Sequence, residues 1–180
     1  ELGFYVYKTC AYVCNVLQQL DCTVEKILQT GVVAYFDFGK EETLAFRADM
    51  DALPMPEHPE NLKGARTCMS DDPNTCHACG HDAHTAMLLG AAELLMNHRE
   101  ELCGTVRLMF QPAEEILQGA ADMIEHGVLE GVDEAVMLHV LTAGELPTGT
   151  VILPAAGVSA PSADYFTVEV RGSGCHGALP

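Results

Sequence analysis

Apolar residues recur along the chain with two different spacings, and the switching between them predicts alternating helices and strands. Between 8 and 20 the positions Ala11, Val13, Val16, Leu17 and Leu20 follow a helical period. Gly31 breaks this pattern, and 32–38, rich in β-branched and aromatic residues, reads as a strand. A charged turn at Lys40-Glu41-Glu42 leads to a second strand at 43–48, which ends at Asp49-Met50-Asp51. Residues 54–78 hold Pro54, Pro56, Pro59, Gly64 and Pro73 and read as one long loop, a feature that in a compact domain is usually functional. A helix is expected over 83–99 with Met87, Leu88, Ala91, Leu94 and Leu95 inward, and a strand over 105–110. The loop Gln111-Pro-Ala-Glu-Glu115 follows, then a helix over 119–126 with Gly127 suited to its C-cap. Further strands are expected at 135–140, at 151–153 and, by alternation, at 165–171.

Strands alternating with helices imply an α/β fold, a mainly parallel sheet with helices on both faces. In such a sheet a ligand binds beyond the carboxyl ends of the strands. The polar residues are distributed accordingly: Asp49 and Asp51 follow one strand, Glu114 and Glu115 another, and His139 closes a third. Residues 159–163 read as a hinge. A strand and a turn beyond it cannot bury a core alone, so 1–160 reads as one domain and 161–180 as the start of a second, the rest of which lies outside this sequence.

Composition narrows the function. With 48% apolar residues among 180, the chain is globular in type, and its formal charge of −17 argues against nucleic acid and anionic membrane surfaces as partners. No apolar run approaches the roughly 20 residues that span a bilayer, and the opening residues lack the basic and cleavage features of a signal peptide. The eight cysteines are not spaced as a disulfide framework. Free thiols and a cytoplasmic setting are expected. Cys10 and Cys14, one helical turn apart, are expected to share a buried helix face.

The densest chemistry is Cys76-His-Ala-Cys-Gly-His-Asp-Ala-His84. Cys79 and His81 can reach one point if the chain is extended between them, and thiolate and imidazole are natural ligands of zinc and similar ions. The segment leads into a helix N-terminus, which favours a thiolate. A structural zinc knuckle would need a second ligand pair, and the chain has no second CxxC. Glu114-Glu115 is either a solvated turn or a working pair in which Glu115 binds a metal and Glu114 acts as base. His139, alone in an apolar strand, is either a core residue or a ligand. His176 sits in a glycine-rich turn and is otherwise an ordinary surface histidine. Asp49 and Asp51 could orient ligand histidines from behind or cap a turn, and Asp82 is a candidate beside them.

The motifs Arg47-Ala-Asp-Met-Asp-Ala-Leu-Pro54, His77-Ala-Cys-Gly-His-Asp-Ala-His-Thr-Ala86, Phe110-Gln-Pro-Ala-Glu-Glu115, Leu138-His-Val140 and His176-Gly-Ala-Leu-Pro180 occur in this order. Together they closely resemble the aminoacylase, hippurate hydrolase and auxin-conjugate hydrolase group of metallopeptidase family M20. The resemblance implies a zinc-exopeptidase-like catalytic domain followed by an α+β lid and dimerisation domain. It also implies two divalent metal ions, zinc or manganese and also cobalt or nickel. Cys79 would bridge or bind both, with His81, Glu115 and His139 as further ligands, Glu114 as general base and His176 at the substrate. The implied reaction is hydrolysis of the amide bond of an N-acyl amino acid by a homodimer. Two alternatives stand beside it: a catalytically incomplete metal-binding fragment, and a carboxypeptidase or dipeptidase acting on short peptides. Family members are longer and supply a further histidine ligand near their C-terminus. Cys175 stands where the family usually has a small residue.

Overall fold

The segment Thr105–Gln111 lies at the centre of a five-stranded sheet, as its run of buried residues, Val106 and Leu108 to Gln111, requires. The computed structural model describes residues 1–180 except 40, 41, 62, 63, 143, 145, 159–161, 165 and 180. It divides into two compact units, Glu1–Leu141 and Thr142–Pro180. The first holds α1 (Tyr7–Leu17), β1 (Thr23–Ile27), β2 (Gly31–Asp37), β3 (Thr43–Asp49), the short pair β4 (Glu60–Asn61) and β5 (Gly64–Ala65), α2 (His81–Asn97), β6 (Thr105–Gln111), α3 (Gly119–Glu125) and β7 (Glu134–Met137).

The sheet order is β1-β2-β6-β3-β7. β3 pairs in parallel with β6 and β7, whereas β2 is antiparallel to both β1 and β6. The expected α/β sheet is present, but it is mixed rather than mainly parallel. β1, which the sequence pattern did not reveal, is an edge strand with only Ile27 buried, so it carries no apolar face to recognise.

Helices cover both faces. On one, α1 and α2 pack their buried side chains, Cys10, Val13, Cys14 and Leu17 from α1 and Leu88, Leu89 and Ala92 from α2, against Val32, Ala34, Phe36, Leu108 and Phe110. On the other, Met123 of α3 meets Val33, Ala45 and Met109. Cys10 and Cys14 do share a buried face. The inward face of α2 differs from the expected one: His81, His84, Thr85, Leu88, Leu89 and Ala92 are buried, while Leu94 is 62% exposed and Met87 42%. This helix is apolar on most of its surface, so periodicity alone does not fix its rotation. Three polar residues of its first turns do, by their bonds to the end of β3. The helix also starts two residues earlier than expected.

The second unit has no helix or strand among its described residues. The apolar side chains of the expected strands at 151–153 and 165–171, Val151, Leu153, Phe166 and Val170 among them, are exposed. An alternating segment becomes a strand only when another strand completes its hydrogen bonds, and none does so among the described residues. Most of the expected hinge at 159–163, Tyr165 and the turn residues Lys40 and Glu41 lie outside the described residues.

Leu108 is fully buried under both helices of its face. Leu108→Ala should cost about 2–5 kcal/mol, and the exposed Leu94→Ala should stay within about 0.5 kcal/mol, both read from urea unfolding. Equal losses would return Leu94 to the inner face.

Candidate metal centre

Because β3, β6 and β7 are parallel and in register, Asp49 opposite Gln111 and Arg47 opposite Met137, the segments that follow them emerge side by side. The long loop joins them through its base. The Leu53 N–H donates to the Cys76 carbonyl (3.0 Å) and the Cys76 N–H to the Leu53 carbonyl (3.2 Å), which brings 77–81 next to Asp51. Gly80, at φ +87°, then turns the chain into α2 with His81 as the first helical residue.

Asp51 is fully buried and holds three groups at once. Its carboxylate accepts the backbone N–H of Glu114 (2.9 Å) and of Glu115 (3.1 Å), and its carbonyl oxygen accepts Nδ1–H of His81 (2.8 Å). Two consecutive amides can converge on one anion because Ala113, at φ +57°, takes the left-handed conformation. That strain costs on the order of 1–3 kcal/mol and is offset by charge-assisted hydrogen bonds. Gly119 closes the same loop: its N–H donates to the Ala113 carbonyl at 3.1 Å, and a Cβ there would collide with the Pro112 carbonyl oxygen.

With Nδ1 donating to Asp51, the Nε2 of His81 carries the free lone pair. Nε2 is buried and has no hydrogen-bond partner, and neither has Oε1 of Glu115. These two atoms lie 3.8 Å apart, too far for a hydrogen bond, with Oε2 of Glu114 also 3.8 Å from Nε2. Beside them, Cys79 Sγ is 3.3 Å from Nε2 of His139, whose Nδ1 donates to the Val140 carbonyl at 2.7 Å. His81 therefore belongs to three groups of donor atoms, each within 4.8 Å: Cys79, His81 and His139; His81, Glu114 and Glu115; and Asp49, His81 and His84.

The titrating groups here hold their protons tightly. Burial and then the Glu115 and Glu114 carboxylates push the Cys79 thiol up to about 11. The thiolate expected from the helix N-terminus is therefore not favoured in the metal-free chain: burial and surrounding negative charge outweigh the helix dipole. Burial likewise raises Glu115, with Glu114 adding to the effect. For His81, burial favours the neutral form, but Asp51, Asp49 and Glu115 outweigh it and raise the pKa. Burial and neighbouring carboxylates thus combine to shift three groups toward their protonated forms in one place, and a cation there would offset the carboxylate part of that effect.

A model of peptidase family M20/M25/M40 matches residues 45–174. The chain belongs to that family. Over its whole length it is 43% identical to IAA-amino acid hydrolase ILR1-like 4 of Arabidopsis thaliana, of which it covers 39%. It is 40% identical, again over its whole length, to N-acetyl-L-cysteine deacetylase of Bacillus subtilis and to thermostable carboxypeptidase 1 of Saccharolobus solfataricus, covering 42% and 45% of them. The chain thus spans about two fifths of the length of the curated relatives it matches. The solved YXEP protein of Bacillus subtilis, a dinuclear metal binding peptidase from the M20 family, is similar over 77% of this chain and 38% of its own, with a TM-score of 0.69 and 42% identity.

In this M20 chain the structure brings Cys79, His81, Glu114, Glu115, His139, Asp49 and Asp51 together. Asp49 is buried; burial opposes its ionisation, but the hydrogen bond from His84 and the Arg47 guanidinium together hold its pKa below the usual carboxylate range. Asp82 is not brought into the cluster. It follows His81 on a helix, where successive side chains diverge by about 100°, so it is exposed, and its carboxylate accepts the Ala83 N–H at 2.9 Å. His176 belongs to the second unit, where its Nδ1 accepts the Ala178 N–H in a turn. Two further participants lie within the sequence motifs without a role that the sequence assigns. Arg47 donates to Asp49 (2.7 Å) and to Gln111 (2.9 Å), and His84 donates to Asp49 (2.5 Å). Their signals were positional: Arg47 shares a strand face with Asp49, and His84 shares a helix face with His81.

Metal uptake should release protons from this cluster. Cys79, Glu115 and His81 are all shifted upward, so protons compete with the cation at low pH, and affinity should rise with pH until the thiol value near 11 is passed. Calorimetric titration of metal-free protein with zinc, in buffers of differing ionisation enthalpy, counts the protons; affinity independent of pH would dismiss these groups as ligands.

Proposed function

We propose that this chain carries the catalytic residues of a metal-dependent amidohydrolase that releases an acyl group from the nitrogen of an amino acid. The observation that carries the reading is the buried, partnerless pair of His81 Nε2 and Glu115 Oε1, set beside Cys79 and His139. Such orphaned atoms are costly to bury unless a further group completes them. Two relatives named for cleaving IAA-amino acids and N-acetyl-L-cysteine support the substrate class.

The donor set fits two divalent cations. Cys79, His81 and His139 would hold one cation between them, His81 with Glu114 and Glu115 a second, and a thiolate, with lone pairs to share, would let Cys79 contribute to both. Glu115 completes the set. Sulfur and nitrogen donors favour zinc, and the carboxylate also admits manganese, cobalt or nickel. Bound at these side chains, the cations would supply Lewis acidity and make water easier to deprotonate. Glu114 is fixed through its backbone by Asp51 while its carboxylate stays a third exposed. It takes the proton of the attacking water and returns it to the departing nitrogen. His176 is assigned to steady the oxyanion, within a lid and dimerisation domain that begins at 161 and follows a catalytic domain of residues 1–160, in a homodimer. The eight cysteines, all free, support a reducing, cytoplasmic setting.

A second reading, cleavage of short peptides from the carboxyl end, is favoured by the identity to thermostable carboxypeptidase 1. Comparing kcat/KM for N-acetyl and N-benzoyl amino acids with that for dipeptides separates the two. Glu114→Gln should keep its metal and lose about 10²–10⁴-fold in kcat; turnover near that of the unaltered protein would remove Glu114 from the chemistry.

A further inference from the structure

His84 lies one turn beyond His81 on α2 and is buried, with the His139 ring edge-on at 4.6 Å. With Asp49 and His81 it forms a third group of possible metal ligands. Its hydrogen bonds exclude that use. The backbone N–H of Val140 points at Nε2 from 2.9 Å, and an N–H can only donate. Nε2 is therefore the acceptor, its lone pair is engaged, and the ring proton sits on Nδ1, which donates to Asp49 at 2.5 Å. Asp49 is fixed in turn by Arg47 at 2.7 Å.

The Val140 amide has no other support. β7 ends at Met137, and among the described residues no backbone–backbone hydrogen bond outside the helices and strands involves 138–141. His139 sits in this otherwise unanchored stretch, and its own Nδ1 is held by the Val140 carbonyl. The stretch also packs against the start of α2, where a Cβ on Gly80 would collide with the Val140 side chain.

We propose that His84 is a positioning residue, not a ligand: it spans Asp49 and the Val140 amide, and so sets where the His139 imidazole meets Cys79. This rests on the reading of His139 as a metal ligand. The chain of contacts runs from Arg47 through Asp49, His84 and Val140 to His139, and joins the ends of β3, α2 and β7.

The test compares His84→Gln and His84→Asn with the unaltered protein. A glutamine amide offers a donor and an acceptor with nearly the reach of both ring nitrogens; an asparagine amide reaches Asp49 but falls short of Val140. Zinc per chain is measured by elemental analysis, zinc affinity by chelator competition, and the cobalt-loaded form by its thiolate charge-transfer band. Glutamine should hold two metals and keep affinity and spectrum. Asparagine should weaken one of the two ions by about 10–100-fold, alter the charge-transfer band, and lower kcat more than it changes KM, with thermal unfolding of the metal-free forms close to one another. Loss of one metal in the glutamine variant, with its thermal unfolding unchanged, would make His84 a ligand and overturn the proposal. Unchanged affinity and spectrum in the asparagine variant would overturn it equally. Failure of the unaltered protein to bind two metals would sink the two-metal reading itself, and this assignment with it.

Discussion

A buried carboxylate organises the site. Asp51 is removed from water and must be compensated where it stands. It finds two backbone amides from the loop after β6, and through its carbonyl a ring nitrogen from α2. Satisfying one anion therefore fixes the backbone under Glu114 and Glu115, and the carbonyl of the same residue fixes the tautomer of His81. The left-handed Ala113 and the tight approach at Gly119 are the conformational cost of bringing those amides to it.

Around this anchor the site is left electrically incomplete. Asp49 is balanced by Arg47 and His84, and Asp51 by amides. Glu114, Glu115 and Cys79 have no cation assigned among the described residues, and His81 turns its unpartnered nitrogen toward them. Burial raises Cys79 and Glu115 first and the neighbouring carboxylates add to both, while for His81 the carboxylates raise the pKa against burial.

The sequence disclosed those parts of the architecture whose signals are local. Strand ends carrying Asp49, Glu114, Glu115 and His139, and the dense cysteine–histidine segment, could be read directly, and the structure brings these residues together. Rotation about a helix axis could not. α2 is apolar on most sides, so its inner face is decided by His81, His84 and Thr85 reaching the end of β3, contacts far apart in sequence. Asp82 and His84 lie in the same motif, and only the rotation of the helix separates the exposed Asp82 from the buried His84. β1 escaped notice because an edge strand with one buried residue has no pattern to show. The alternation at 165–171 is real in sequence yet forms no strand among the described residues, since pairing is a property of two segments.

The high thiol value of Cys79 also bears on chemical durability. Oxidants and alkylating agents attack the thiolate, and a thiol titrating near 11 presents almost none of it at neutral pH. The Cys79 sulfur is thus shielded from peroxide and electrophiles at neutral pH, first by its burial and then by the Glu115 and Glu114 carboxylates. Of the remaining cysteines, Cys10, Cys14 and Cys76 are buried, and Cys68, Cys103 and Cys175 stand exposed, so oxidative damage should fall on thiols outside the cluster first.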